Sequence, residues 1–581
     1  MTDKKTIALY GLCSAHLAVM HYYILLTCRV EEATDLVLWA DNLLGIAVDV
    51  AAVLALSLLP TRGRLRPALF ITAIVTLLWA FCNVLYSRFF HHYIPLSAIG
   101  QAGTLADGFM LQNVVEGLRW TDLVFAASAA AACWLYCSSP GQATTIRRRH
   151  LLAYWPAALL LADLVLHLLF CLATPGLRSA AYYRHRLFIR HLDLLHSSAE
   201  PNWASFHRGS VRQLLVPTLY HALTTTQLTA EQCAAIEKEY YDHTQRCTAA
   251  RTQAKGKNII FIIVESYLSA TSELIVDGKE VTPFLNTLRH DSTVYYNGRL
   301  RPDISVGESS DGQFLYMAGL LPLRSDVTVT KAKYAELPGL PKILCQEGLI
   351  AESQMIIPTL PSMWEQEKMC QKYGFDHLYS SADYQEGKYW YLSDEQIFQY
   401  ALEKNLSCQR PFLSVILTMT MHQPYTEPKD PQFTLADKRL TEKYRNYLST
   451  CHYTDRQIKW YFEQLKKNGL YDNSIIVVAA DHHAHPSLFD MGEEDLSTDI
   501  PLYIVGGGID KEEAWQGPCH QLDVYTTLLD LIGTKNPWHG FGHTLLTPQY
   551  QPSVRAGLWT MSEQIVLGNY FSPKNSSRST P

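Results

Sequence analysis

Five apolar stretches crowd the first third of the chain, at 6–28, 37–59, 67–87, 119–137 and 151–173. Each has about the 17–25 residues that carry a helix across the hydrocarbon core. A single run of this kind could be a buried core helix. Five in succession, with the charges kept mostly between them, read as a membrane domain of five transmembrane helices over residues 1–174. The first lacks a small-residue cleavage site and is followed by further spans, which argues against a cleaved signal peptide.

Basic residues in the short loops orient this domain. Lys4 and Lys5 precede the first span, Arg62, Arg64 and Arg66 lie between the second and third, and Arg147, Arg148 and Arg149 between the fourth and fifth. The alternate loops hold Arg29, Arg88 and Arg119 singly, the first beside Glu31, Glu32 and Asp35. The N-terminus is therefore expected in the cytoplasm, and five crossings put residues 175–581 outside. Arg178, Arg184, Arg186 and Arg190 follow the last span on the outer side, where they suit either a solvated helix face or a surface helix touching anionic headgroups. His16, Asp49, Asp163 and His167 fall inside spans, where ionisable side chains turn to a bundle interior or cavity.

The remainder reads as water-soluble. With 49 Lys and Arg against 55 Asp and Glu, the net charge of −6 excludes a dedicated nucleic-acid binder, and 48% hydrophobic residues exclude a disordered chain. Seven of the 13 cysteines lie outside the spans, an odd number, and no CxxC pair of zinc-ribbon type occurs. Residues 175–254 read as a polar helical connector. From 255 to 548 the pattern changes: continuous β-branched or apolar runs at 258–264, 412–417, 475–480 and 502–505 alternate with amphipathic segments such as 436–468 and 522–532. Such runs mark strands buried on both faces, and their alternation with helices predicts an α/β domain with a central, mostly parallel sheet. Residues 549–581, ending in SPKNSSRSTP, are expected to be a disordered tail.

Ligands of such sheets bind beyond the carboxyl ends of the strands. Glu265 follows the first run, Asp481-His482-His483 follow the third, and Thr418 to His422 follow the second. Gly307-Glu308-Ser309-Ser310-Asp311 stands just before an expected helix at 312–320. Carboxylates and an imidazole at adjacent strand ends can form a compact divalent-metal site, and a serine at a helix N-terminus gains from the helix dipole. Taken singly, each residue has a plainer use: Ser309 and Ser310 as N-caps, Glu265 as a helix cap, Asp481 and the histidines as turn residues. Their common placement at strand ends favours the metal site.

These blocks make the chain resemble the lipoteichoic acid synthase family of the alkaline phosphatase and sulfatase superfamily. The resemblance rests on Asn258 to Ser266 (NIIFIIVES), Asp277 to Leu285 (DGKEVTPFL), Gly307 to Asp311 (GESSD), Gly469 to Ile476 (GLYDNSII), Asp481-His482 and Asp523 to Asp530 (DVYTTLLD). It implies a sulfatase-like catalytic domain outside a bacterial cytoplasmic membrane. It also implies metal ligation by Glu265, Asp481, His482 and the nucleophile Ser309, where the family usually has threonine. His422 matches a histidine near the substrate phosphate or leaving group. The implied metal is one divalent ion, manganese first, with zinc or magnesium as alternatives. The implied reaction moves a phospho head group, phosphoglycerol or a similar one, from a membrane phospholipid to a glycan or lipid acceptor. The family carries Trp-x-Arg where Trp364-Glu365-Gln366 stands here, and a histidine where Ile357 stands. Of those head-group contacts only Trp364 remains.

The residues fit this chemistry on their own terms. A serine hydroxyl is a poor nucleophile until coordination or a base raises its alkoxide fraction. Three alternatives stay open: phosphoethanolamine transfer, hydrolysis of the same intermediate by a phosphodiesterase, and a catalytically silent receptor domain. A true sulfatase would need C/S-x-P-x-R, which Ser309-Ser310-Asp311-Gly312-Gln313 does not provide.

Overall fold

The computed structural model describes residues 4–27, 36–90, 93–94, 115, 117–138, 210–211, 228–246, 254–324, 326–389, 391–423, 425, 433–484, 497–550, 554 and 556–572. The chain divides into two compact units, 1–225 and 226–581.

In the first unit the helices Lys4–Thr27, Leu36–Leu58, Leu65–Phe90 and Leu123–Cys137 take up four of the five apolar stretches. Among the described residues, Lys4–Leu26, Leu65–Arg88 and Trp120–Cys137 are long and apolar enough to cross a membrane, and Asn42–Leu58 is a shorter apolar helix. The count of five therefore stands at three such helices here; the stretch 151–173, with Asp163 and His167, lies outside the described residues, as do Arg178, Arg184, Arg186 and Arg190. Lys5 Nζ donates to Ser138 O at 2.8 Å, and Arg66 reaches the carbonyls of Leu135 and Tyr136. At the opposite end Arg88 forms a two-point ion pair with Asp122 at 2.7 and 2.6 Å and donates to Tyr23 OH at 2.9 Å. Lys5 and Arg66 thus share one end of the bundle, as the loop charges predict. His16 and Asp49 are buried, as expected of ionisable groups inside spans: His16 Nδ1 pairs with Thr76 Oγ1 at 3.1 Å, and Asp49 Oδ2 accepts from Val211 N at 3.0 Å.

In the second unit ten short or long strands are described: β1 (Asn258–Val264), β2 (Ile275–Val276), β3 (Lys279–Glu280), β4 (Tyr295–Arg301), β5 (Glu352–Ile356), β6 (His377–Tyr379), β7 (Phe412–Leu417), β8 (Ser474–Ala480), β9 (Ile500–Val505) and β10 (Cys519–His520). Eight of them form one sheet in the order β10-β4-β9-β8-β1-β7-β5-β6, and β2 and β3 pair apart. Only β9 runs against its neighbours in the large sheet. This is the mostly parallel α/β sheet that the sequence predicts. All seven residues of β1 and of β8 are buried, because helices cover both faces.

Two domain limits differ from expectation. Of the expected connector 175–254, the described residues 228–246 lie in the second unit: Leu228 and Ile236 join the core of the α/β domain, and helix Ala230–Arg246 packs Tyr240 against Trp538 with ring centroids 5.8 Å apart. The tail expected from 549 is ordered over 556–572. There the helix Ala556–Leu567 buries Leu558, Ile565 and Val566 in the same core. Ser562 Oγ accepts from Leu321 N at 3.1 Å, and Glu563 holds Arg324 through two contacts of 3.0 and 2.6 Å. The apolar spacing of AGLWTMSEQIVL outweighs the polar composition that follows it.

Candidate active site

The site begins with register. β1 and β8 pair in parallel with Val264 opposite Ala480 at their carboxyl ends, so Glu265 and Asp481 leave the sheet side by side. On the other flank β7 ends opposite Ile263 at Leu417, and Thr418 Oγ1 accepts from Glu265 N at 3.0 Å. Neither Glu265 nor Asp481 caps a helix; both side chains are buried.

Ser309 arrives from beyond β4, which stands two strands from β8 in the sheet. The loop after β4 leads into a helix that starts at Ser309, three residues before the expected 312, and runs to Ala318. Asp311 shapes this entry: its Oδ2 accepts from Ser305 N (3.0 Å) and Gly307 N (2.9 Å), and its Oδ1 from Thr328 Oγ1 (2.6 Å). Burial pushes its carboxyl up to about 7. Ser310 Oγ turns back to Gly307 O at 2.7 Å. Glu308, at the N-cap position, has φ 44° and leaves the helix uncapped by its side chain. The helix lies tight against β8, with Tyr316 OH donating to Ala480 O at 2.6 Å. Gly312 permits this contact, since a Cβ there would meet the Asp481 carbonyl oxygen at 2.2 Å.

The sequence-predicted groups meet as follows. Ser309 Oγ lies 3.2 Å from Glu265 Oε2 and 3.0 Å from His482 Nε2. His482 Nε2 is 3.5 Å from Glu265 Oε1 and 3.6 Å from Asp481 Oδ2. Ligand atoms of Glu265, Asp481 and His482 all lie within 4.8 Å of one another. Burial and then the neighbouring Glu265 push Asp481 up, and against the opposing effect of burial the carboxylates of Asp481, Glu265 and Glu308 raise His482. Two buried carboxylates, one imidazole and a hydroxyl are a donor set that a divalent cation fits: it would relieve the repulsion that now keeps protons in the cluster. Oxygen donors with one nitrogen suit manganese, zinc or magnesium.

His422 flanks this cluster. Its Nδ1 donates to Gln423 O at 2.6 Å, and its charge couples to those of His482, Asp481 and Glu308. Burial lowers its pKa. Its loop is pinned by buried Asp394, which accepts from Met419 N (2.8 Å) and Thr420 N (3.0 Å). Trp364 sits in the turn Met363–Glu365 with φ 50° and packs half-buried on the domain core; two residues further on, Gln366 Nε2 donates to Gln313 Oε1 on the serine's helix at 2.8 Å. His483 is turned to its own chain, with Nδ1 bonded to Ala484 O at 2.8 Å, and His485 lies outside the described residues.

Sequence reasoning passed over Ser266, Glu308 and Gln521. Glu308 Oε2 lies 3.9 Å from His482 Nδ1, and Gln521 Nε2 donates to the Asp481 carbonyl at 2.6 Å. Ser266 and Glu308 adjoin the recognised residues, which was the available signal; their positive φ values were not legible.

Fold and site together define a sulfatase-type α/β domain that follows a set of apolar helices in the chain. Residues 257–534 match the Sulfatase family model, and residues 5–193 match the Lipoteichoic acid synthase N-terminal domain. Lipoteichoic acid synthase 2 of Bacillus subtilis (strain 168) is 31% identical over 300 residues, covering 48% of this chain and 46% of that protein. Lipoteichoic acid synthase-like YvgJ of the same organism is 28% identical over 339 residues, covering 54% of each. The chain thus spans about half the length of these two relatives. The lipoteichoic acid synthase of Staphylococcus saprophyticus is 26% identical over 550 residues, covering 88% and 80%. Among solved structures, the lipoteichoic acid synthase LtaP from Listeria monocytogenes has 20% identity and a TM-score of 0.45, covering 55% of this chain and 82% of that one. The chain is thus similar to lipoteichoic acid synthases in both of its parts, the apolar helices and the α/β domain.

Proposed function

We propose that this chain is a metal-dependent phosphotransferase that moves a phospho head group, phosphoglycerol or a similar one, from a membrane phospholipid to an extracytoplasmic glycan or lipid. The observation that carries this reading is Ser309 Oγ held at 3.2 Å from Glu265 and 3.0 Å from His482 within the buried Glu265-Asp481-His482 group. A divalent ion held by these three residues and Ser309 supplies charge neutralisation at the phosphoryl oxygens and favours the serine alkoxide.

Ser309 Oγ attacks the phosphorus of the lipid phosphodiester. The bond from phosphorus to the diacylglycerol oxygen breaks, that oxygen takes up the proton given up by the Ser309 hydroxyl, and the head-group phosphate stays on Ser309. The acceptor hydroxyl then attacks the phosphoserine, loses its proton and releases Ser309. His422 suits the second step. Burial favours its neutral form, and donation by Nδ1 to Gln423 O makes Nε2 the basic nitrogen, able to take the acceptor's proton. The apolar helices keep the enzyme beside its lipid donor, which raises the local concentration.

Gln366 favours a second reading of the head group. It is buried and donates to Gln313, so it does not replace the family's arginine beside Trp364. A group other than phosphoglycerol, phosphoethanolamine foremost, then takes its place in the same chemistry. Intact mass of the peptide that begins at Arg301, taken from protein purified out of native membranes, tests both readings. A head-group-phosphate adduct absent from Ser309→Ala establishes covalent transfer, and its mass names the group. An unmodified peptide after incubation with mixed phospholipids and manganese or zinc counts against transfer and brings rapid hydrolysis or a silent domain forward.

A further inference from the structure

Ser266 lies between the two carboxylates of the cluster, in a backbone conformation that residues with a Cβ seldom adopt. Its φ is 52°. In that turn its hydroxyl donates to Glu265 Oε1 at 2.6 Å and its N–H donates to Asp481 Oδ1 at 2.9 Å. Both carboxylates face the cluster: Glu265 Oε2 meets Ser309 Oγ, Glu265 Oε1 lies 3.5 Å from His482 Nε2 and Asp481 Oδ2 lies 3.6 Å from it, while His482 N also donates to Asp481 Oδ1 at 2.8 Å. The turn is braced from behind by buried Tyr447, whose hydroxyl donates to Ser266 O at 2.9 Å and accepts from Leu268 N at 3.1 Å.

We propose that Ser266 is a positioning residue for the metal centre: its left-handed turn ties Glu265 through the hydroxyl and Asp481 through the N–H, so that the two carboxylates that would hold the cation are fixed relative to each other by one residue. This inference rests on the metal-site reading above. With an ordinary negative φ, the N–H and the hydroxyl would no longer reach two different carboxylates at once. The strain is kept because it orients two ligands through one residue.

Two substitutions separate this role from a merely structural one. Ser266→Gly removes the hydroxyl and eases the positive φ. Ser266→Thr keeps the hydroxyl and adds a β-branch where φ is positive. Full-length protein purified in detergent is titrated with Mn2+ alone by calorimetry, and unfolding of the metal-free form is followed by intrinsic fluorescence. Ser266→Gly should bind Mn2+ about tenfold more weakly, with a metal-free Tm equal to wild type or higher. Ser266→Thr should unfold at a lower temperature while its Mn2+ affinity stays within about threefold of wild type. Should Ser266→Thr fail to fold, Ser266→Ala decides in its place, with an affinity loss matching that of Gly. Wild-type affinity in Ser266→Gly, or affinity and Tm falling together in both variants, overturns the proposal. Wild-type protein that takes up neither Mn2+ nor Zn2+ overturns the metal-site reading itself.

Discussion

At the scale of the residue, the cluster around Ser309 is short of positive charge. Asp481 rises from 3.8 to about 7, chiefly through burial and then through Glu265, while the carboxylates around His482 carry it from 6.5 to about 9. Both shifts leave the metal-free folded protein holding more protons than the unfolded chain. For Asp481 that excess spans the interval from 3.8 to about 7, and for His482 the interval from 6.5 to about 9. Stability of the stripped protein therefore falls as pH rises through these windows. A bound cation needs the same groups deprotonated, so its affinity should rise over the same range and its binding should release protons. Calorimetry with Mn2+ in buffers of different ionisation enthalpy, at pH 6.5 and 8.5, checks the proton release; an affinity independent of pH would show that these groups are not the ligands. Gly312 provides a second test. Gly312→Ala improves helix propensity by about 1 kcal/mol yet drives a methyl group into the Asp481 carbonyl. Formation of the Ser309 adduct should drop by about 100-fold while circular dichroism stays that of a folded domain.

At the scale of the element, legibility followed burial. The four runs read as strands became β1, β7, β8 and β9 because each is buried throughout and carries no competing polar pattern. β4 (YYNGRLR) and β5 (ESQMI) mix polar and apolar residues, and β6 and β10 have three and two residues, too few to show any period. That Glu265, Asp481 and His482 come together is legible in the sequence because the ends of buried strands are visible there. The helix start at Ser309 was missed by three residues because its first turn is entered through Glu308 at positive φ and fixed by Asp311 from within, neither of which follows an N-cap pattern. Trp364 could be found by resemblance, but its place on the domain core belongs to tertiary packing.

At the scale of the whole molecule, the C-terminal helix corrects the expected domain limit and carries its own prediction. A catalytic unit ended at residue 548 loses Leu558, Ile565 and Val566 from its core and leaves Arg324, with a side chain 19% exposed, without Glu563. Such a truncation should unfold at a lower temperature than the chain ended at 572, or fail to accumulate. Glu563→Ala alone should cost about 2 kcal/mol, since it removes charge-assisted hydrogen bonds to a partly buried guanidinium; denaturant unfolding measures it. In the membrane unit, the charges at the two ends of the helices agree with the loop pattern: Lys5 and Arg66 at one end, the Arg88–Asp122 pair at the other.

The parallel pairing of β1 with β8 also acts as a gauge. Neighbouring strands stand about 4.8 Å apart, a separation at which two carboxylates can share one cation. Because Val264 and Ala480 are opposite each other, Glu265 and Asp481 inherit that spacing from the backbone ladder. A slip of one rung would send one of them to the opposite face and dissolve the pair. Surrounding loops can therefore change without recalibrating the distance between these two carboxylates, so the sheet holds the candidate site to one measure whatever the loops present to it.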